Sequence, residues 1–503
     1  MINIRSNKQI FVDDYIIDTR ERVVRTYHQF KRHPANPLLV PEKPWERTSF
    51  VYGTVLHDAE TGTFRMWYTN SGGFSYADAE HYSPAKPAAG DQHVCYATSE
   101  DGLHWQRPNL GIIEVQGSKE NNVVALKEMA YGLRGGNVVY NPNADCPEHR
   151  YTHLSQTPDG TRPSFSPDGL HWSNDAPLIG RPSDAAMLFF DPAQDRWFVI
   201  SVSSPDVRGF TRRSIEITET DLESWSEFET ILIADEIDDA GCAARIERLR
   251  PILDYDNPEH YHAQLHHMVA FRYGGRALGI VTLWDNTWYT RGKYPAEPLF
   301  AGGKDRGVVH MQLVWSLHPD MKNWQRVYPR IPLLELSEPG EWDAAAQLPM
   351  DAPVRVGDEL WLYYSGFSRE LNSPRTFGDG LAFGAKVPAQ GIGVGTMRLD
   401  GFVSLDASPR GGIVTTKPVI FTGTELTINA RALGHITVEI LDAEGNPIPG
   451  FGPASDCNGG VESISGDSVR HSIKWKNLGQ LAGQPIRLRF HMWNSQLYAF
   501  QFE

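Results

Sequence analysis

Cysteine is scarce in this chain. Only four occur in 503 residues (Cys95, Cys146, Cys242 and Cys457), and no two share a metal-type spacing such as C-x-x-C. A disulfide framework and a zinc module are both excluded, and the expected state is free thiols. No apolar run approaches the 18 residues that a membrane-spanning helix needs, and the start, MINIRSNKQIFVDDY, lacks a signal-type apolar core. Positive charge is also short: 47 Lys and Arg stand against 62 Asp and Glu, a net charge of −15, with no basic block. Nucleic acid and anionic membranes are therefore poor partners, because phosphate binding needs clustered cations. The expectation is a soluble cytoplasmic protein, with a homo-oligomer left open. Long amphipathic helices are missing as well; only EIDDAGCAARIERLRPIL (236–253) suits a short one.

What is abundant is turn and strand chemistry: 45 Gly, 34 Pro, 14 Trp and 19 Tyr. The pentapeptide DGLHW occurs at Asp101–Trp105 and again at Asp168–Trp172. Weaker copies follow at Asp221-Leu-Glu-Ser-Trp225, Asp320-Met-Lys-Asn-Trp324 and Asp400-Gly-Phe-Val-Ser404. Each copy follows two apolar runs around a polar turn, as in YGTVLHDAETGTFRMWYTN (52–70) and AAMLFFDPAQDRWFVISVS (185–203). Each therefore reads as a hairpin, a third strand, an Asp-centred turn and a fourth strand. Five such units predict an all-β chain: a five-bladed β-propeller over residues 1–400, with the pentapeptide in an architectural role. Asp58, Asp191 and Asp358 fall in hairpin turns and read as structural. Beyond Asp400 the strands alternate, and DAEGN marks a hairpin, so residues 401–503 read as a β-sandwich. QIFVDDYIID (9–18) is expected to close the ring by lending a strand to the last blade.

The layout, together with FVDDYII, NPLLVPEKPWE, YGTVLHD, MRLDGFVSL and TTKPVIFTGTELTINA, resembles glycoside hydrolase families 32 and 43, in particular a bacterial family 32-like group. The fructosidase motif W-M-N-D-P-N-G is absent, as is its Glu-Cys motif. The resemblance implies an exo-acting, furanosidase-like hydrolase whose carboxylates ring the mouth of a central channel. Cleavage needs one protonated carboxyl for the leaving oxygen and one carboxylate acting on carbon or water. The segments ahead of the innermost strands offer Glu46, Asp184, Glu259 and Asp343 as catalytic candidates, with Glu341 and Asp351 nearby. Trp45, Arg134, His260 and His262 are candidate contacts to an oligosaccharide or glycoside substrate. His260, His262 and His266 share a strand face, but no metal and no cofactor is called for. Two other functions remain open: a carbohydrate-binding propeller without catalysis, and a glycoside phosphorylase with Arg134 and His260 or His262 holding phosphate.

Overall fold

The computed structural model describes all residues except 44, 47–49, 72–91, 116, 126–136, 158–159, 174–175, 181–184, 193, 254–255, 289–304, 317–320, 372–387 and 454–460. The chain is mostly β. Unit one is an antiparallel sheet of Phe50–His57, Phe64–Ser71, Gln92–Ser99 and Val123–Ala125. Unit two has Val138–Tyr140, Tyr151–Thr157 and Gly160–Ser166, extended at its outer edge by bridges to Ser173 and Gly180. Unit three has Met187–Asp191, Arg196–Ser203, Ser214–Thr220 and Glu229–Leu232. Unit four has His262–Tyr273, Arg276–Trp288, Arg306–Ser316 and Trp324–Arg326. Unit five has Ala346–Pro349 with Val354–Val356, then Glu359–Phe367 and Gln390–Arg398, and outermost Lys31–Arg32.

Strands in these units are buried on both faces; Arg306–Ser316 is buried at every position. Such burial follows when sheets stack face to face, and it explains the near-continuous apolar runs. The units touch in cyclic order. The first strands of units one and two, and of two and three, are in contact, as are those of three and four. Unit four contacts unit five, and unit five packs on the first strand of unit one.

The repeated turns have a common build. Asp101 Oδ1 accepts hydrogen bonds from the amides of Leu103 and His104, both at 2.8 Å, and Ser99 Oγ accepts one from Gly102 N at 2.9 Å. Asp168 with Ser166, and Asp221 with Thr220, repeat the pattern. The residue after the Asp takes a left-handed backbone, with φ of 75° at Gly102, 79° at Gly169 and 68° at Leu222. Trp105 and Trp172 each donate Nε1–H to the carbonyl of that glycine, at 3.1 and 3.2 Å, and Trp324 does likewise to Met321. The same carbonyls accept from the preceding unit: Gly169 O from Trp67 Nε1 at 2.7 Å, and Gly102 O from Tyr363 Oη at 2.9 Å. The pentapeptide thus staples neighbouring units, including five to one. Gly169→Ala would put a methyl 2.5 Å from the Trp67 ring on a left-handed backbone. We expect a loss of about 1–3 kcal/mol, read as a lower urea midpoint.

The first 27 residues belong elsewhere. Ile2–Arg5 pairs with Val419–Phe421, Gln9–Ile10 with Pro485–Phe502, Ile17–Glu21 with Gly412–Thr416, and Val23–Tyr27 with Val403–Ala407. All lie in a ten-stranded sheet whose spine is Leu426–Asp442 against Pro485–Phe502. The segment QIFVDDYIID therefore does not close the ring, because Ile10, Phe11, Val12 and Ile16 are buried in the core shared with this sheet. Lys31–Arg32 supplies the outer strand of unit five instead. The junction is polar: Asp400, buried, accepts from Lys8 Nζ at 2.9 Å, Tyr273 Oη at 2.6 Å and Asn429 Nδ2 at 2.9 Å. The expected short helix is Glu236–Glu247, opened by a reciprocal cap between Asp235 and Asp238.

Candidate active site

Acids recur ahead of the inner strands for a structural reason. Gln325 and Lys31 on the outer strands of units four and five, and Gln106 in a bridge at the outer edge of unit one, pair with Trp315, Thr396 and Thr98 of the adjoining strands. The next residue in each is an arginine. Arg107 Nε donates to Glu46 Oε1 at 2.7 Å, Arg326 Nη2 to Asp238 Oδ1 at 3.0 Å, and Arg32 Nε to Asp343 Oδ2 at 2.9 Å. Glu46, Asp238 and Asp343 are all buried. In units one and five a tyrosine of the second strand joins in: Tyr68 Oη donates to Glu46 at 2.5 Å, and Tyr364 Oη to Asp343 at 2.8 Å. Glu46 Oε2 also accepts the amides of Glu42 and Lys43, at 3.1 and 3.2 Å, so both its oxygens are engaged. Each clamp ties the approach to an inner strand to the outer strand of its own unit.

Three of the four candidate acids lie among the described residues, each in a different setting. Glu46 and Asp343 sit in separate clamps, and neither lines the axial cavity described below. Glu259 is exposed on the 3₁₀ turn Pro258–His260. Asp184 and Arg134 lie outside the described residues. Trp45 Nε1 donates to Asn122 Oδ1 at 2.9 Å, and its ring packs on the core between units one and five. His260 is buried with Trp288 edge-on at 4.9 Å. His262 stacks on Phe210 at 4.1 Å. Its Nδ1–H is directed at His260 O, 2.7 Å away, and Nε2 faces Asn286 Nδ2 at 3.0 Å, a chain continued by Gln264. Burial lowers the His262 pKa to about 4, so the ring is neutral at pH 7. Among the described residues no group of three or more His, Cys, Asp or Glu could hold a metal ion.

At the end where the inner strands begin, the axis is lined by aromatic and polar groups. Tyr52 of unit one meets His267 of unit four with ring centroids 4.9 Å apart. His266 stands edge-on to Trp284 at 5.3 Å, and Trp284 packs with Val51, Leu348 and Phe367. Both inner strands carry a register shift here, between Val51 and Gly53 and between Leu265 and His267. Such bulges re-aim side chains and favour functional positions.

Towards the other end, residues from all five units line an open cavity of about 350 Å³. Thr54, Asn137, Leu188, Phe271 and Asp351 are among its lining, each from a different unit. Asp351 is a partly buried polar centre of this cavity. Its Oδ2 accepts from Thr54 Oγ1 at 2.8 Å and from Asn137 Nδ2 at 3.1 Å; Oδ1 accepts from Ala352 N at 2.8 Å. Asn137 in turn exchanges hydrogen bonds with Leu188, and Thr54 Oγ1 accepts from Val138 N. One belt thus joins units five, one, two and three. Burial, with only neutral donors against it, raises the Asp351 pKa from 3.8 to about 6. In the sequence this residue is one of three acids in GEWDAAAQLPMDAP, and no spacing singles it out.

No family model matches the chain, and no curated protein does. Solved structures are similar in backbone course at low identity. The β-1,2-mannobiose phosphorylase of Listeria innocua has 13% identity and a TM-score of 0.43, covering 74% of this chain and 97% of its own. A thermostable family-43 glycoside hydrolase has 12% identity and a TM-score of 0.41, covering 75% and 95%. The fructofuranosidase of Schwanniomyces occidentalis has 12% identity and a TM-score of 0.36, covering 94% and 98%.

Proposed function

We propose that the protein is a glycoside hydrolase whose five units are the blades of a propeller, with chemistry on their common axis. The observation that carries this reading is Asp351, a partly buried carboxyl where the inner strands meet, held by neutral donors alone and with its pKa raised to about 6. A carboxyl so tuned holds its proton close to neutral pH and can give it to a leaving oxygen. Tyr52, Trp284, His266 and His267 offer aromatic faces and ring nitrogens to a sugar. Asp184, four residues before Leu188, is our candidate for the second carboxylate, and Arg134 for a contact to the substrate. Glu46 and Asp343 we assign to holding the mouth segments, and Glu259 to its rim. The C-terminal sheet, a β-sandwich completed by residues 1–27, supports the ring.

Exo-action and furanosidase-like specificity belong to the same proposal. A phosphorylase is less favoured, because a neutral His262 with both ring nitrogens engaged adds no positive charge for phosphate. A panel of aryl furanosides and pyranosides, with and without phosphate, tests all three readings. Release of aglycone without phosphate is the expected result. Strict phosphate dependence would favour phosphorolysis, and binding without release would favour a carbohydrate-binding propeller.

A further inference from the structure

The axial cavity is apolar along its walls, which include Leu56, Val139, Phe189, Phe271 and Pro353, and polar at the end where Asp351 meets it. No Lys or Arg is among its described lining residues. The three partners of Asp351 are the Thr54 hydroxyl, the Asn137 amide and the Ala352 N–H, all neutral. A partly buried carboxylate held by neutral donors and without a countercharge is disfavoured when ionised, so it either keeps its proton or gains from a cation that reaches it through the open side of the cavity. A divalent metal would want six or more oxygens, which one carboxylate among aromatic and aliphatic walls does not supply. An organic ammonium suits the site better, since its charge can meet the carboxylate while its body lies on Phe189 and Phe271. A volume of about 350 Å³ is at the small end of ligand pockets.

We infer that this cavity binds a small protonated amine with an aryl or alicyclic body, its ammonium on Asp351 and its ring on the phenylalanine walls. This goes beyond the hydrolase reading, since it requires binding alone. Other titratable or charged groups near the site are few. His57 lines the cavity, with Nδ1 3.1 Å from Arg355 O and its ring stacked on Phe64. Tyr140 lies on the wall. His153, behind Asn137, has Nδ1 3.0 Å from the Asn137 carbonyl and is kept neutral by burial, with a pKa of about 4. Arg355 directs Nε at Gly357 O.

Calorimetric titration of the full-length protein with benzylamine, cyclohexylamine and the neutral isostere benzyl alcohol between pH 5 and 8 tests the inference. Both amines should bind at least tenfold more tightly than the alcohol at pH 7.5. Amine affinity should fall by up to about tenfold per pH unit below the Asp351 titration and level off above it. Asp351→Asn should abolish the preference and flatten the profile, whereas His57→Gln should keep both. Should the Asn variant not fold, the profile of the unaltered protein and the loss of benzylamine affinity in Phe271→Ala still decide the matter. Equal binding of amine and alcohol, a flat profile, or no amine binding at millimolar concentration would overturn it. A protein that binds amines and cleaves no glycoside leaves this site standing and removes the hydrolase; the reverse result does the opposite.

Discussion

Asp351→Asn should lower turnover by about 10²–10⁴-fold, the usual range for a general acid, while making stability less sensitive to pH. The two effects have one cause. The folded protein holds the Asp351 proton up to about pH 6, whereas an unperturbed Asp releases it near 3.8. Between those values the folded state carries the extra proton, so stability falls as pH rises through the window. The full difference is about 3 kcal/mol at most, at about 1.4 kcal/mol per unit. The amide cannot ionise, so this loss should disappear from its urea midpoints between pH 4 and 7.5. Undiminished activity in the variant would remove Asp351 from the mechanism. An unchanged pH slope of the midpoints would show that the carboxyl ionises freely.

The second large effect is expected at the clamp of unit one. Glu46→Gln leaves Arg107 without its buried carboxylate, although the Arg107 side chain is only 10% exposed. Breaking a buried pair from one side costs about 3–5 kcal/mol. Arg107→Met should cost a similar amount, and the double replacement should cost less than the sum, because no charge is then left unmatched. Low-temperature turnover of folded Glu46→Gln should stay within a few-fold of the parent. A variant of normal stability and no activity would instead make Glu46 a reacting group.

The repeat was legible because its chemistry is local: Asp101 and Asp168 cap their own turns within three residues, and Gly102 and Gly169 take backbone angles that few other residues accept. The fate of residues 9–18 was not, because their partners lie some 400 to 490 residues away and one apolar strand reads like another. Glu46 and Asp343 were visible as acids in the right place, but their arginines lie 61 and 311 residues away. A signal for the clamp did exist. Trp105-Gln106-Arg107 and Trp324-Gln325-Arg326 repeat the same tripeptide, and a recurring arginine implies a recurring acid. Asp351 carried no such mark, since its character comes from Thr54 and Asn137 on other units.

The route of the N-terminal segment also sets a timetable for synthesis. Residues 2–27 find their strand partners only among residues 403–502, and Lys31–Arg32 pairs with residues 395–396. A ribosome adding about 5–20 residues per second needs roughly 20–80 s to reach those partners. Through that interval Ile10, Phe11, Val12, Ile16 and Ile17, all buried in the finished fold, have no sheet to join. The nascent chain therefore carries a sticky early segment until residues 403–502 emerge, and chaperone demand during translation should concentrate on that segment.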